Sequence, residues 1–392
     1  VEPLFVFTAD LHLEDGAWST RPGIYGDAYY SFAQIIDYCI EQQLPLIMGG
    51  DVLEKKSNSA RPIAKLCEGL SRMQAAGVPV YYIQGNHEYD RNAPWLSVHP
   101  WSQHIHQQTV EIQGHSIYGL DWLPKGEIQE AFKAIPRGTH ILVTHQVWED
   151  LMKGVGRTEC AIADVHNTRT ILAGDFHVTT TIEGVNADGL RTEMLSPGSI
   201  CMQDLGESPA KWFFVICRHP EGGFHFERKT LQTRSFAKFV VNDQEYLDQL
   251  CAGGLVQEIE CLAKQISTEA KTAGVDKPIV RIKFDKNLPD AFLRLTTAAG
   301  DACHLFCEAL AERGQAERQQ TTRSSAKNDL LAALADLLGD ETPAYKLAAA
   351  LVTAEDPAKK LEGVFAEFQE GTSHAVVTFG SPELGTPSTP GV

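Results

Sequence analysis

The chain has 392 residues, 43% hydrophobic and 22% charged, which suits a soluble globular protein with two or three full-sized cores. Its formal charge of −17 excludes wholesale electrostatic adhesion to nucleic acid or anionic membrane. Nine dispersed cysteines with no CxxC pair, no long apolar run and no signal-peptide pattern predict reduced thiols in a cytoplasm-like compartment, no membrane span and no structural zinc.

In chain order, "LFVFTADLH" (4–12) reads as a strand and "YYSFAQIIDYCIEQQ" (29–43) as an amphipathic helix. "LPLIMGGD" (44–51) is a second strand, and "IAKLCEGLSRMQAAG" (63–77) a helix with Gly at its C-terminus. "VPVYYIQGNHE", "HSIYGLDWL", "THILVTHQ" and "RTILAGDFH" continue the pattern, each an apolar run that ends in polar residues. This is an α/β layer pattern over residues 1–225. "FAKFVV" (236–241) and "PIVRIKFD" (278–285) then read as strands around a helix near 243–270, with "ACHLFCEALAERG" (302–314) open between strand and helix. Residues 226–315 are read as a smaller α/β domain. Residues 316–371 form a polar linker and a helical element with apolar residues at helical spacing. The Gly-, Pro-, Ser- and Thr-rich tail, 372–392, is expected to be disordered.

Five strand ends carry the chemistry: Asp10 and His12; Asp51; Asn86 and His87; His145; Asp175 and His177. One such residue is ordinarily a cap or a solvated turn, but five sets directly behind apolar runs are not explained by capping. His nitrogens, carboxylates and one amide oxygen suit Mn²⁺, Fe²⁺ or Zn²⁺. Strand alternation predicts that Asp10 and His12 share a side, as do Asp175 and His177. There are ligands enough for two cations, with Asp51 the expected bridge. Two such cations activate water and neutralise a phosphate, chemistry that fits phosphoester cleavage.

These motifs, in this order, resemble the calcineurin-like metallophosphoesterase superfamily. The resemblance implies a β-sandwich flanked by helices, with Asp10, His12, Asp51 and His177 on one metal and Asp51, Asn86, His145 and Asp175 on the other. His87 would contact the scissile phosphate and protonate the leaving oxygen. More narrowly, "GDVLEKKSNSARP", "VTHQ", "IYGLDWLP" and "KPIVRIKFD" resemble the SbcD-type nucleases, the meiotic-recombination-eleven family. That implies a Mn²⁺-dependent DNA exonuclease and endonuclease subunit (Mg²⁺ being the alternative ion) with a DNA-binding capping domain. Its expected partners are DNA and an SbcC-like ABC-type ATPase bound through the C-terminal helices. A homodimer is also compatible, and the cytoplasm would be bacterial, or the host cell's for a phage-encoded chain.

Two departures matter. Asp175 replaces the first His of the family's Gly-His-x-His, which favours Mn²⁺ or Mg²⁺ over Zn²⁺. Glu54 stands where many members carry a second active-site His, and receives no catalytic role. Lys55, Lys56, Arg61, Arg91, Arg281 and Lys283 are the candidate phosphate contacts. His99, His104 and His106, with Trp95 and Trp101, are expected on a long surface loop, and His166 as a structural residue. The rival functions are a phosphodiesterase or phosphatase acting on nucleotides or phosphoproteins, and a catalytically weak scaffold that tethers DNA ends.

Overall fold

In the computed structural model, residues 2–14, 23–91, 99–153 and 156–310 are described. The first strand, β1 (Glu2–Thr8), shows how the core is built. Phe5 and Phe7 point to one face and Val6 to the other, yet all three are fully buried. A strand buried on both faces reads as a continuous apolar run, which is why these strands are plain in the sequence. β2 (Leu46–Gly49) and β3 (Val80–Ile83) repeat the pattern, and both lie parallel to the strand before them.

The first sheet continues through β4 (Ser102–His104), β11 (Lys211–Arg218) and β12 (Phe224–Leu231), in the order β12-β11-β1-β2-β3-β4. Helices α1 (Asp27–Gln42) and α2 (Ala60–Ala75) supply its outer cover, with Phe32, Ile35, Ile36, Leu66, Leu70 and Met73 packed on Val6, Leu46, Met48 and Tyr82. The second sheet comprises β5 (Thr109–Ile112), β6 (His115–Leu120), β7 (Ile141–His145), β8 (Thr170–Gly174), β9 (Thr180–Val185) and β10 (Arg191–Ser196), in the order β5-β6-β7-β8-β10-β9. Ile117, Ile141, Val143, Leu172 and Leu195 face the first sheet, meeting Phe5, Phe7, Ile47 and Ile83. Leu142, Ile171 and Ala173 face outward under Phe132 of α3 (Lys125–Lys133) and Trp148. The result is a β-sandwich flanked by helices, as expected.

β12 still belongs to the first sheet; the chain enters a third, smaller sheet at Phe236. That sheet is parallel throughout: β13 (Phe236–Val241), β14 (Ile279–Phe284) and β15 (His304–Ala309). The ambiguous segment is therefore a strand. It has no alternation of burial to announce itself, being half-buried along most of its length. The single helix expected near 243–270 is broken. A π-type turn, Leu250–Gly254, with Gly253 at φ 122°, separates helix Gln244–Gln249 from Leu255–Lys264, and a further helix spans Thr268–Ala273. Arg234 ties this region to the sandwich. Its guanidinium, 4% exposed, meets both carboxylate oxygens of Asp27 at 2.9 Å and the carbonyls of Tyr25 and Lys277. Among the described residues no helix is long and apolar enough to cross a membrane. The expected C-terminal helices and tail lie outside the described residues.

Candidate metal centre

The C-terminal ends of five strands meet at one edge of the sandwich. β1, β2 and β3 are neighbours in the first sheet and β7 and β8 in the second, parallel within each set. Their ends deliver Asp10 and His12, Asp51, Asn86 and His87, His145, and Asp175 and His177. Ligands collect where parallel strands stop, because the chain there turns away and leaves a crevice.

Strand alternation is not what aligns the paired residues. β1 ends at Thr8 and β8 at Gly174, so each pair lies beyond its strand. Asp10, His12, Asp51 and Asp175 instead adopt φ of 52°, 47°, 49° and 84°. Side chains in this left-handed region cost on the order of 1 kcal/mol each and persist where the surroundings over-determine them. The loops are also too close for any other residue at Gly85. A Cβ there would lie 2.0 Å from Asp51 Oδ1.

The donor atoms converge. Asp10, His12 and His177 each bring one ligand atom within 4.8 Å of the others, and so do Asp10, Asp51 and His145. Asp51 Oδ2 lies 3.7 Å from His12 Nε2 and 3.3 Å from His145 Nε2, between the two groups. His145 Nε2 is also 3.2 Å from Asn86 Oδ1 and 3.9 Å from Asp175 Oδ1. All seven expected ligands are therefore gathered in one place, and His87 joins them with its Nε2 3.8 Å from Asp51 Oδ2.

The outer nitrogens decide whether cations fit. His145 Nδ1 donates to the carbonyl of Gly49 at 2.8 Å. His12 Nδ1 donates to Glu54 Oε2 at 2.6 Å, and His177 Nδ1 to Glu207 Oε1 at 3.1 Å. With Nδ1–H committed, each Nε2 presents a lone pair inward. His12 Nε2 and His177 Nε2 then face each other at 3.1 Å, and His145 Nε2 faces carboxylate and amide oxygens. Acceptors aimed at acceptors repel unless something positive lies among them. The donor set fits divalent cations.

The charges agree. Burial pushes Asp175 up to about 6, with Asp10 and Asp51 adding to it against His145. Burial works against ionisation of Asp51 as well, but His145 and His12 hold it well below the usual carboxylate range. For His145, burial opposes protonation, yet Asp51, Asp10 and Asp175 raise it well above an ordinary imidazole. A field that draws protons onto imidazoles also draws metal ions. His87 is lifted to about 9, chiefly by its hydrogen bond with Glu54, so it carries a proton at neutral pH.

Three acidic residues complete the site. Glu54, to which the sequence assigns no role, holds His12 through its carboxylate and His87 Nδ1 through its carbonyl at 2.8 Å. Glu207 holds His177 and is held in turn by buried Lys211 at 2.5 Å. Fully buried Glu88 accepts from the backbone N–H of Gly85 and Val52, joining two site loops, and burial raises it to about 8. Carboxylates behind ligand imidazoles fix their tautomer and orientation. Glu207 lies in an irregular loop and has no sequence signal. Glu88 follows Asn86 and His87 directly, and that adjacency is its signal in the sequence.

His104 and His106 do not line a surface loop. His104 ends β4, stacks on Tyr82 at 4.9 Å and donates to buried Asp121, while His106 Nδ1 accepts from the Asp121 backbone. His99 is half-buried and meets Ser71; Trp101 donates to the carbonyl of Val78; Trp95 lies outside the described residues. His166 pairs with Asp188 at 2.8 Å, a structural contact as expected. Lys55, Lys56 and Arg61 are exposed on the segment after Asp51. Arg91 is paired with Glu127, and Lys283 is half-buried. Arg281 is turned inward, bound to the Leu205 carbonyl and Glu308, which removes it from the set of phosphate contacts.

Residues 3–253 match the family model of the calcineurin-like phosphoesterases. Among curated proteins, the chain is similar to the DNA double-strand break repair protein Mre11 of Methanosarcina acetivorans, 23% identical over 244 residues, covering 58% of this chain and 39% of that protein. The same-named protein of Haloferax volcanii is 24% identical over 240 residues, covering 59% and 53%. That of Methanosarcina mazei is 22% identical over 245 residues, covering 58% and 38%. The chain thus matches about half the length of these relatives or less.

Proposed function

The chain belongs to the calcineurin-like phosphoesterase family, and from that premise we propose that it is a Mn²⁺-dependent DNA nuclease subunit acting with an ATPase of the SbcC kind. The observation that carries the phosphoesterase reading is the inward-facing set of Nε2 lone pairs around Asp51. The names of the curated relatives support DNA as the substrate.

Asp10, His12 and His177 would hold one cation and Asn86, His145 and Asp175 the other, with Asp51 shared. Two bound divalent ions supply activation of water and neutralisation of the phosphate's developing charge. The residues do the rest. Glu54 and Glu207 keep His12 and His177 in the tautomer that presents Nε2. His87, protonated and one-third exposed at the site, donates its proton to the leaving oxygen. Lys55, Lys56 and Arg61 would follow the phosphates beyond it. Residues through β12, which ends at Leu231, would be the nuclease domain, the region from Phe236 to about 315 the DNA-binding cap, and 316–371 the linker and ATPase-binding element.

The test is a Mn²⁺-dependent assay comparing linear duplex DNA, single strands, a cyclic nucleotide and an aryl phosphate. Cutting of DNA is expected, with duplex cutting enhanced by the ATPase and ATP. Hydrolysis confined to the cyclic nucleotide or the aryl ester would make the chain a small-substrate phosphoesterase instead.

A further inference from the structure

We propose that a second cavity, at the opposite end of the second sheet, binds a phosphate monoester carrying a flat ring, such as a nucleoside monophosphate. It holds about 480 Å³ and is lined by His115, His140, Arg169 and Arg218 together with Leu190 and Phe224; among the described residues no Asp or Glu lines it. That size falls within the roughly 300–1,000 Å³ of small-molecule sites. His115, His140 and Thr170 stand at or just before the first residues of β6, β7 and β8, whereas His145 and Asp175 stand at or just beyond the last of β7 and β8. At about 3.3 Å per strand residue, the cavity lies on the order of 15 Å from the metal centre.

Its charge runs against that of the molecule, which has 51 acidic and 34 basic residues. Arg72, Arg91, Arg191, Arg234, Arg281 and Arg294 each meet a carboxylate. Arg169 and Arg218 are exposed and meet none among the described residues. Two guanidiniums free at one cavity match the charge and fork geometry of a phosphate dianion. His140 adds a donor. Its Nδ1 accepts from the Ser116 backbone at 3.0 Å, which places the proton on Nε2.

Phe224 and Leu190 supply apolar lining. The ring of Phe224 meets His115 edge-on at 5.3 Å. His115 Nδ1 is buried with no hydrogen-bond partner. Burial, then His140 and Arg218, lower the His115 pKa against the pull of Glu111 and Glu2, so the ring is neutral and suited to stacking. A bare phosphate would leave this lining unused.

Calorimetric titration of the full chain with dAMP, deoxyadenosine and inorganic phosphate tests the assignment. Excess EDTA keeps cation-dependent binding at the metal centre out of the measurement, so the outcome is independent of the nuclease reading. dAMP should bind about tenfold or more tightly than either fragment, and Arg169→Ser/Arg218→Ser should weaken it by about tenfold or more, as loss of charge-assisted hydrogen bonds implies. Both arginines are exposed, and an unchanged melting temperature would verify the fold. Phe224→Ala should weaken dAMP but not phosphate. No dAMP binding in EDTA, phosphate binding as tight as dAMP, or full affinity in the double arginine variant would each overturn the proposal.

Discussion

His87 and Asp51 touch each other, yet their removal should have different consequences. His87 Nε2 faces Asp51 from the rim, whereas Asp51 lies between His12 and His145. His87→Ala is expected to retain metal and lose turnover by about 100- to 10,000-fold, the usual contribution of a general acid. Asp51→Ala should lose bound Mn²⁺ as well. Metal analysis of the two variants side by side decides this, and an empty site in His87→Ala would remove its assignment as proton donor. Glu54 makes a subtler case. Glu54→Ala should lower Mn²⁺ affinity by about 10- to 100-fold, the range for groups that orient ligands, while Glu54→Gln keeps an acceptor for His12 Nδ1–H and should lose less. Free Mn²⁺ followed by electron paramagnetic resonance during titration reads both, and equal affinity in wild type and Glu54→Ala would sink the idea. Asp175 is the residue proposed to set the choice of ion. As a hard ligand beside Asp10 and Asp51 it should make Mn²⁺ a far better activator than Zn²⁺ or Ca²⁺ in chelator-stripped protein; equal activity with Zn²⁺ would count against its role.

Elements show where physics decides what a sequence reveals. Arg234 sits in the connection between β12 and β13, buried, with its charge satisfied by Asp27 of α1. Breaking a buried pair leaves an unpaired charge and typically costs about 3–5 kcal/mol, so Arg234→Met should lower stability to urea by roughly that amount. Adding Asp27→Asn should recover part of the loss, because the orphaned carboxylate is then gone. A double variant no more stable than Arg234→Met would show that the charge itself is not what costs. Nothing in the sequence marks this arginine, since the carboxylate that balances its charge, Asp27, is 207 positions away. The strands are plain because burial on both faces makes them continuous apolar runs, and the polar residues behind them stand out for the same reason. Asp10 and His12 come together by another route than strand alternation predicts, because the pleat stops with the strand and a left-handed turn takes over. His104 and His106 look like loop residues in the sequence because the residue that organises them, Asp121, is 17 and 15 positions on. Local pattern finds what backbone and burial impose. Contacts between distant loops leave no such trace.

For the whole molecule, a charge of −17 is the first obstacle to a nuclease. Phosphate binding must rest on cations at the metal centre and on a few local basic groups, so association with DNA should fall steeply with salt. The proposed ATPase partner would relieve that difficulty, and the sequence beyond the described residues carries an apolar pattern that it could bind. "DLLAALADLL" (329–338) sets Leu330, Leu331, Leu334, Leu337 and Leu338 at spacings of three and four, and "LEGVFAEF" adds Leu361, Val364, Phe365 and Phe368. A helical element of that length would have little core of its own in which to bury such a stripe. Residues Val1–Leu310, by contrast, form a compact unit by themselves. Deletion of 320–392 is therefore expected to leave a folded protein with Mn²⁺-dependent activity on single-stranded DNA. The same deletion should abolish co-purification with the ATPase and ATP-stimulated cutting of duplex ends. If the truncated chain instead lost solubility or basal activity, the stripe would belong to the enzyme's own core, and the partner would have to bind elsewhere.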